Sequence, residues 1–422
     1  MDASGDTLAV LAGLMEAAHT LGADDLPHEV AAVARRLGAV DAVVYLVDLQ
    51  QQVLVPHVEV PDIDPNRNHA GLSVASTVAG RVFQHQEPVV RDEPGGTSKV
   101  WLPLVNGTER LGVMSLELDA EAFAASVSHV DVTDPDRDDP TGLARVSLAR
   151  RWTFFVDLVA ELLMSKTQYG DSLVRLRRSA PMGLAAEIQW GLLPPLTFTD
   201  GRVSLAAALE PAYEVAGDSV DYAVDHDKAR FAVFDGMGHE LRSAQLVGLV
   251  VAAYRNARRS GQSLLETSTY IEHTVTTAFG EEGFVTGLMA ELDVATGLLS
   301  WVSAGHPPPL LLRNGRHVKT LELEPRLPFG LAVPDGPTSV AVGTEHLEPG
   351  DRVLLYTDGV VEGRSATGEQ FGAERLTDLL VRNLAAGMPN SETMRRAVVA
   401  LLEHQSDQLA DDATLLLAQW RP

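Results

Sequence analysis

"VFDGMGHELRSA", residues 233–244, ends an apolar run on one acidic side chain, Asp235, then continues through a Gly-Met-Gly turn into a helix-forming segment. An apolar run closed by glycines is the pattern of a buried strand entering a turn. A carboxylate there is costly if buried alone and needs a partner. The same context recurs at Asp218 in "EVAGDSVDY", Asp358 in "LLYTDGVVE" and Asp411 in "LADDATLLLA". One Asp beside Gly at a strand end is an ordinary turn. Four of them beside apolar strands, with few lysines nearby, point to a shared divalent cation. With no cysteine in the chain and no histidine cluster, the donors are hard oxygens, which favour Mg²⁺ or Mn²⁺ over Zn²⁺.

The flanking segments extend this pattern. "RVSLAAALEP" predicts a strand, and "DSVDYAVDHDKARFAVFDG" predicts a hairpin turning at His226-Asp227. Helices are expected near 239–259 and 262–279, then strands in "FVTGLMAELDVATGLLSWVSAG", "PPLLLRNGRHVKTLEL" and "DRVLLYTDGVVEG". Two more helices, near 373–386 and 390–405, precede a last strand, "ATLLLAQW". Strand blocks alternating with helix pairs predict two sheets flanked by helices.

The first 150 or so residues read as a separate α+β module. Helices are expected over 6–20, with Leu8, Leu11, Leu14 and Met15 on one side, and over 27–37. Strands follow in "DAVVYLVDLQ" and "QVLVPHVEV", then a short helix and strand in "SVASTVAGRVFQHQEPVV". "SKVWLPLVNGTERLGVMSLELD" reads as a hairpin turning at Asn106-Gly107. The acidic stretch 131–142 lacks the glycine and final Glu of a calcium loop and reads as a solvated loop. From about 145 to 192 the pattern is mostly helical, with Phe155, Val159, Leu162 and Leu163 on one face. That face suits either the module's own core or a dimeric signalling helix.

A net charge of −25 repels nucleic acid and anionic lipid, so neither is expected as a partner. Without a signal-like N-terminus or an apolar run of roughly 20 residues, the expected location is cytoplasmic.

The segments "EPAYEVAGDSVDYAV", "FDGMGH", "SAGHPPPLLL", "LLYTDGVVE" and "DDATLLLA" resemble, in order, the metal-dependent Ser/Thr phosphatases of the PPM family, and most of all its bacterial SpoIIE/RsbU branch. "AAEIQWGLLPP" resembles the helix that leads into that domain. "AGRVFQHQEPVV" and "WLPLVNGTERLGVMSLEL" resemble a GAF sensory domain, without the residue pattern of its cyclic-nucleotide-binding members. The resemblance implies a mixed α/β (α+β) chain: a GAF-like domain over 1–165, a helical linker over 166–195, and a PPM αββα sandwich over 196–422.

It further implies two Mn²⁺ or Mg²⁺ ions bridged by Asp235, one also bound by the Gly236 carbonyl. Asp358 and Asp411 would hold the other ion, and Asp218 would act directly or through water. Asp218, Asp235 and Asp358 are the implied catalytic set. The implied activity is hydrolysis of phosphoserine or phosphothreonine on a STAS-domain protein, controlled by the GAF-like module, which either binds an unidentified ligand or serves as a ligand-free dimerisation module, with a homodimer expected. A catalytically silent scaffold of the same fold is the alternative, and keeping all four aspartates speaks against it. A sensor kinase would need an ATP-binding motif that the chain lacks. Met237 stands where many relatives have a histidine, Glu240 follows His239 where glycine is common, Val220 replaces an aromatic residue, and no arginine matches the phosphate clamp. The general acid and the clamp therefore stay unassigned. His306 is expected as a turn residue, and Asp221 and Asp412 as outer or solvated neighbours of the ligands.

Overall fold

The structure is a computed structural model and describes residues 3–58, 71–130, 144–214, 217–238, 241–331, 340–406, 409 and 411–421. The expected acidic loop over 131–142 and the pair His239-Glu240 lie outside the described residues. The chain divides into two compact units, Met1–Ser179 and Ala180–Pro422, a boundary inside the segment expected as linker.

In the N-terminal unit an antiparallel sheet runs, in spatial order, through Leu72–Ser73, Val53–His57, Asp41–Val47, Glu109–Leu118, Ser98–Asn106, Val89–Asp92, Ala144–Leu148 and Val127–Val130. Helices Ala3–Ala18, Leu26–Arg36 and Arg150–Thr167 close the larger core on it, and Val78–His85 contributes to a second one. Three expectations shift. The first helix buries Val10, Leu11, Leu14 and Ala18, leaving Leu8 and Met15 exposed. The hairpin pairs Asn106 with Glu109, so its two turn residues are Gly107 and Thr108, with Gly107 at φ 58°. Residues Ala144–Leu148 form a strand before the helix starts at Arg150. Phe155, Val159, Leu162 and Leu163 are all buried in this unit's own core, so that helix face is not free for a second chain.

The C-terminal unit is a sandwich of two antiparallel sheets between two helix layers. One sheet orders Arg316–Thr320, Leu310–Arg313, Arg352–Tyr356, Ala413–Trp420, Val203–Glu210 and Thr197–Thr199. The other orders Asp218–Val224, Lys228–Gly236, Val285–Asp293, Leu298–Ala304 and Gly343–His346. Strand alternation sorts the core: Phe231 and Val233 fill the space between sheets, while Ala232 and Phe234 pack under helices Leu241–Arg259 and Leu264–Phe279. Leu416 likewise faces inward, and Leu415 and Leu417 face helices Ala373–Ala385 and Asn390–His404. Local signals set the boundaries. Ser263 and Glu266 form a reciprocal capping box at the start of Leu264–Phe279. Asn314 and Gly315, at φ 50° and 66°, turn the hairpin between Leu310–Arg313 and Arg316–Thr320. Among the described residues no helix is long and apolar enough to cross a membrane.

Candidate active site

The four aspartates sit where strands of the two sheets end. Asp218 opens one strand and Asp235 nearly closes the next, and the hairpin register sets the two directly opposite each other. Asp358 begins the short helix Asp358–Glu362, just past the strand Arg352–Tyr356. Asp411 stands two residues before the strand Ala413–Trp420, which pairs with Arg352–Tyr356. Asp218, Asp235 and Asp358 thus ride on the ends of rigid elements, while Asp411 is exposed in the bend before its strand.

Their mutual influence is electrostatic and strong. Burial pushes the Asp235 carboxyl up to about 7, and the charges of Asp358, Asp411 and Asp412 add to the shift. Asp218 is raised well above the usual carboxylate range by burial, then by Asp235 and Asp412, with the Thr357 hydroxyl pulling the other way. Asp358 is raised by burial and then by Asp411 and Glu362. Among the described residues, no basic side chain forms an ion pair with Asp218, Asp235, Asp358 or Asp411. Nor, among them, do three or more acidic or imidazole groups close tightly enough to hold an ion as they stand. In donor chemistry the set fits a hard divalent cation: oxygens only, like-charged, and without a protein counter-charge.

The neighbours have different tasks. Asp412 is not solvated; its Oδ2 accepts from the Gly217 amide at 2.7 Å, tying the loop before Asp218 to the other sheet. Asp221 is buried on the opposite face of its strand, where Arg255 meets Oδ1 at 2.7 Å and Arg258 meets Oδ2 at 2.8 Å. It is a paired structural carboxylate rather than an outer ligand. The Gly236 carbonyl accepts from the Ser243 hydroxyl at 3.0 Å, and a Cβ at Gly236 would sit 2.4 Å from Val247 Cγ2. This glycine thus lets the helix Leu241–Arg259 approach the strand. Gly359 is under a similar constraint, since a Cβ would fall 2.0 Å from the Asp412 carbonyl oxygen. His306 is buried, with Nδ1 2.9 Å from the hydroxyl of Thr286, which faces Asp235 in register.

Sequence reasoning missed Thr357. Its hydroxyl donates to Asp218 Oδ2 at 2.7 Å across the gap between sheets. The only signal for it was a polar residue interposed between an apolar strand and Asp358.

Two antiparallel sheets between helix layers, with acidic residues gathered at the strand ends, make the C-terminal unit an αββα sandwich. Residues 225–421 match the family described as Stage II sporulation protein E (SpoIIE). Protein IcfG of Synechocystis is 21% identical over 351 residues, covering 76% of this chain and 52% of its own length. Phosphoserine phosphatase RsbU of Bacillus subtilis is 24% identical over 239 residues, covering 56% of this chain and 68% of RsbU. The chain therefore spans about half the length of the first of these relatives. Among solved structures, the SiaA-PP2C domain of Pseudomonas aeruginosa aligns at 23% identity and a TM-score of 0.48, covering 56% of this chain and 94% of that one.

Proposed function

We propose that the C-terminal unit hydrolyses phosphoserine or phosphothreonine on a regulatory protein and depends on Mn²⁺ or Mg²⁺. The observation that carries this is the gathering of Asp218, Asp235, Asp358 and Asp411 with no basic side chain paired to them among the described residues. Asp235, Asp358, Asp411 and the Gly236 carbonyl would hold two cations, and Asp218 would act directly or through water. When bound, such cations activate water and neutralise phosphoryl oxygens. The protein contributes rigid placement. Strand ends fix Asp218 and Asp235, and Asp412 holds the Gly217 loop. No cysteine is available as a nucleophile, and none is required.

Relatives named as phosphoserine phosphatases support a phosphoprotein substrate, and a phosphorylated STAS-domain protein is the class we assign. The N-terminal unit is assigned as a GAF-like module that controls the site, through a bound ligand or through ligand-free homodimeric assembly. A route for control exists inside the C-terminal unit. On the helix Leu184–Leu192, the Trp190 indole donates to the Ala212 carbonyl at 2.7 Å, and the Gly183 amide just before it donates to the Tyr213 carbonyl at 2.9 Å. Those carbonyls belong to the segment that leads to Asp218. A displacement near 1 Å can cost about 100-fold in rate.

The test is hydrolysis of an aryl phosphate and of phosphoserine peptides by the full chain with Mn²⁺, before and after EDTA. We expect activity that EDTA abolishes and Mn²⁺ restores. Unchanged turnover after metal removal overturns the mechanism, and inactivity on every substrate at saturating Mn²⁺ favours a silent scaffold.

A further inference from the structure

Thr357 is fully buried between the last strand residue, Tyr356, and Asp358. Three bonds fix it. Its amide donates to the Thr414 carbonyl at 3.1 Å, and its hydroxyl oxygen accepts from the Thr414 amide at 2.9 Å. A hydroxyl has a single proton, and the remaining contact is Asp218 Oδ2 at 2.7 Å, so the proton goes there. Thr357 stands on one sheet and Asp218 on the other. This bond therefore spans the sandwich at the edge where the aspartates gather.

We propose that Thr357 is a positioning residue for cation binding: its hydroxyl holds one oxygen of Asp218 and so fixes the orientation in which that carboxylate is presented to a metal. The bond to a buried carboxylate is charge-assisted and short, which fixes the rotamer as well as the charge. Without it the Asp218 carboxylate loses its shortest cross-sheet bond and is free to swing away from the like charge of Asp235, which faces it in register. Partners that orient a ligand in this way are worth about 10- to 100-fold in metal affinity. The inference rests on the metal-dependent function proposed above and adds a residue that the four-aspartate pattern does not contain.

The experiment measures Mn²⁺ binding to the full chain by the electron-paramagnetic-resonance signal of free Mn²⁺, alongside thermal melting. It compares wild type, Thr357→Val, Thr357→Ser, Asp218→Asn and the Thr357→Val/Asp218→Asn pair. Valine keeps the shape and loses the hydroxyl, so affinity should fall at least about tenfold. Serine keeps the hydroxyl and should stay within about threefold of wild type, since the same hydrogen bond remains. In the Asp218→Asn background the valine change should add little, because residues acting through one contact are not additive. Wild-type affinity in Thr357→Val sinks the inference while leaving the proposed function standing. A wild-type chain that binds no Mn²⁺ sinks both. If Thr357→Val alone fails to fold, the pair decides. A folded pair that binds like Asp218→Asn supports the assignment, and an unfolded pair beside a folded Asp218→Asn overturns it, because Thr357 would then serve the fold alone.

Discussion

In the N-terminal unit Asp48 is buried in a tight turn, where one carboxylate oxygen accepts from the amides of Gln52 at 2.7 Å and Val53 at 2.9 Å. In the C-terminal unit Asp235 meets the charges of Asp358, Asp411 and Asp412 instead. Burial raises the carboxyl of both, yet at Asp48 backbone amides and Arg177 pull it back, while at Asp235 each named neighbour drives it further up. Asp221, with its two arginines, and Asp351, held by Arg313 at 2.7 and 2.8 Å, belong with Asp48. A buried acid surrounded by donors is part of the scaffold. One surrounded by other acids lacks a counter-charge among the described residues, and under the function proposed above a cation supplies it.

The sharpest way to break this contrast is to remove acids from each group. Asp235→Ala and Asp358→Ala should each lower Mn²⁺-dependent turnover by about a thousandfold, since several kcal/mol of charge stabilisation disappears. Their melting temperatures without metal should hold or rise, because like-charge repulsion is relieved. Near-wild-type turnover in both at saturating Mn²⁺ would remove them from the site.

Asp221→Ala should do the opposite to stability. It strands Arg255 and Arg258 without their counter-charge, costing about 3 kcal/mol in urea denaturation. Asp48→Ala leaves two amides without an acceptor and should cost about 1–3 kcal/mol. An Asp48 variant as stable as wild type would erase the distinction between acids held by donors and acids facing other acids. The smallest effect is expected at Asp227, exposed in the turn between the two site strands. Asp227→Ala should change stability by no more than about 0.5 kcal/mol.

Much of this was readable before any coordinates. Strand ends carry the glycine and polar punctuation that places Asp218, Asp235, Asp358 and Asp411, and the helices Ala373–Ala385 and Asn390–His404 start where periodicity expects them. Relations across distance were not readable. Asp221 finds its arginines 34 and 37 residues away, one helical turn apart on another element. Asp412 bonds Gly217 across 195 positions, and Thr357 reaches Asp218 across 139. Spacing within a segment reveals which side chains share a face, but only packing decides what that face meets. The same limit explains the helix Arg150–Thr167, whose apolar stripe fits an internal core and a partner equally well on periodicity alone.

The strand Ala413–Trp420 lies in the middle of its sheet, between Arg352–Tyr356 and Val203–Glu210. It follows every other strand of the domain in the order of synthesis. While the chain is still being made, Val203–Glu210 has no partner on that side, and the acid at 411 emerges only just before the strand that fixes it. The nascent domain must therefore keep an unpaired edge waiting for about two hundred residues of translation, which is when such edges aggregate. The timing also couples the two: the carboxylate at 411, a ligand in the function proposed above, arrives just ahead of the eight-residue strand that completes the sheet.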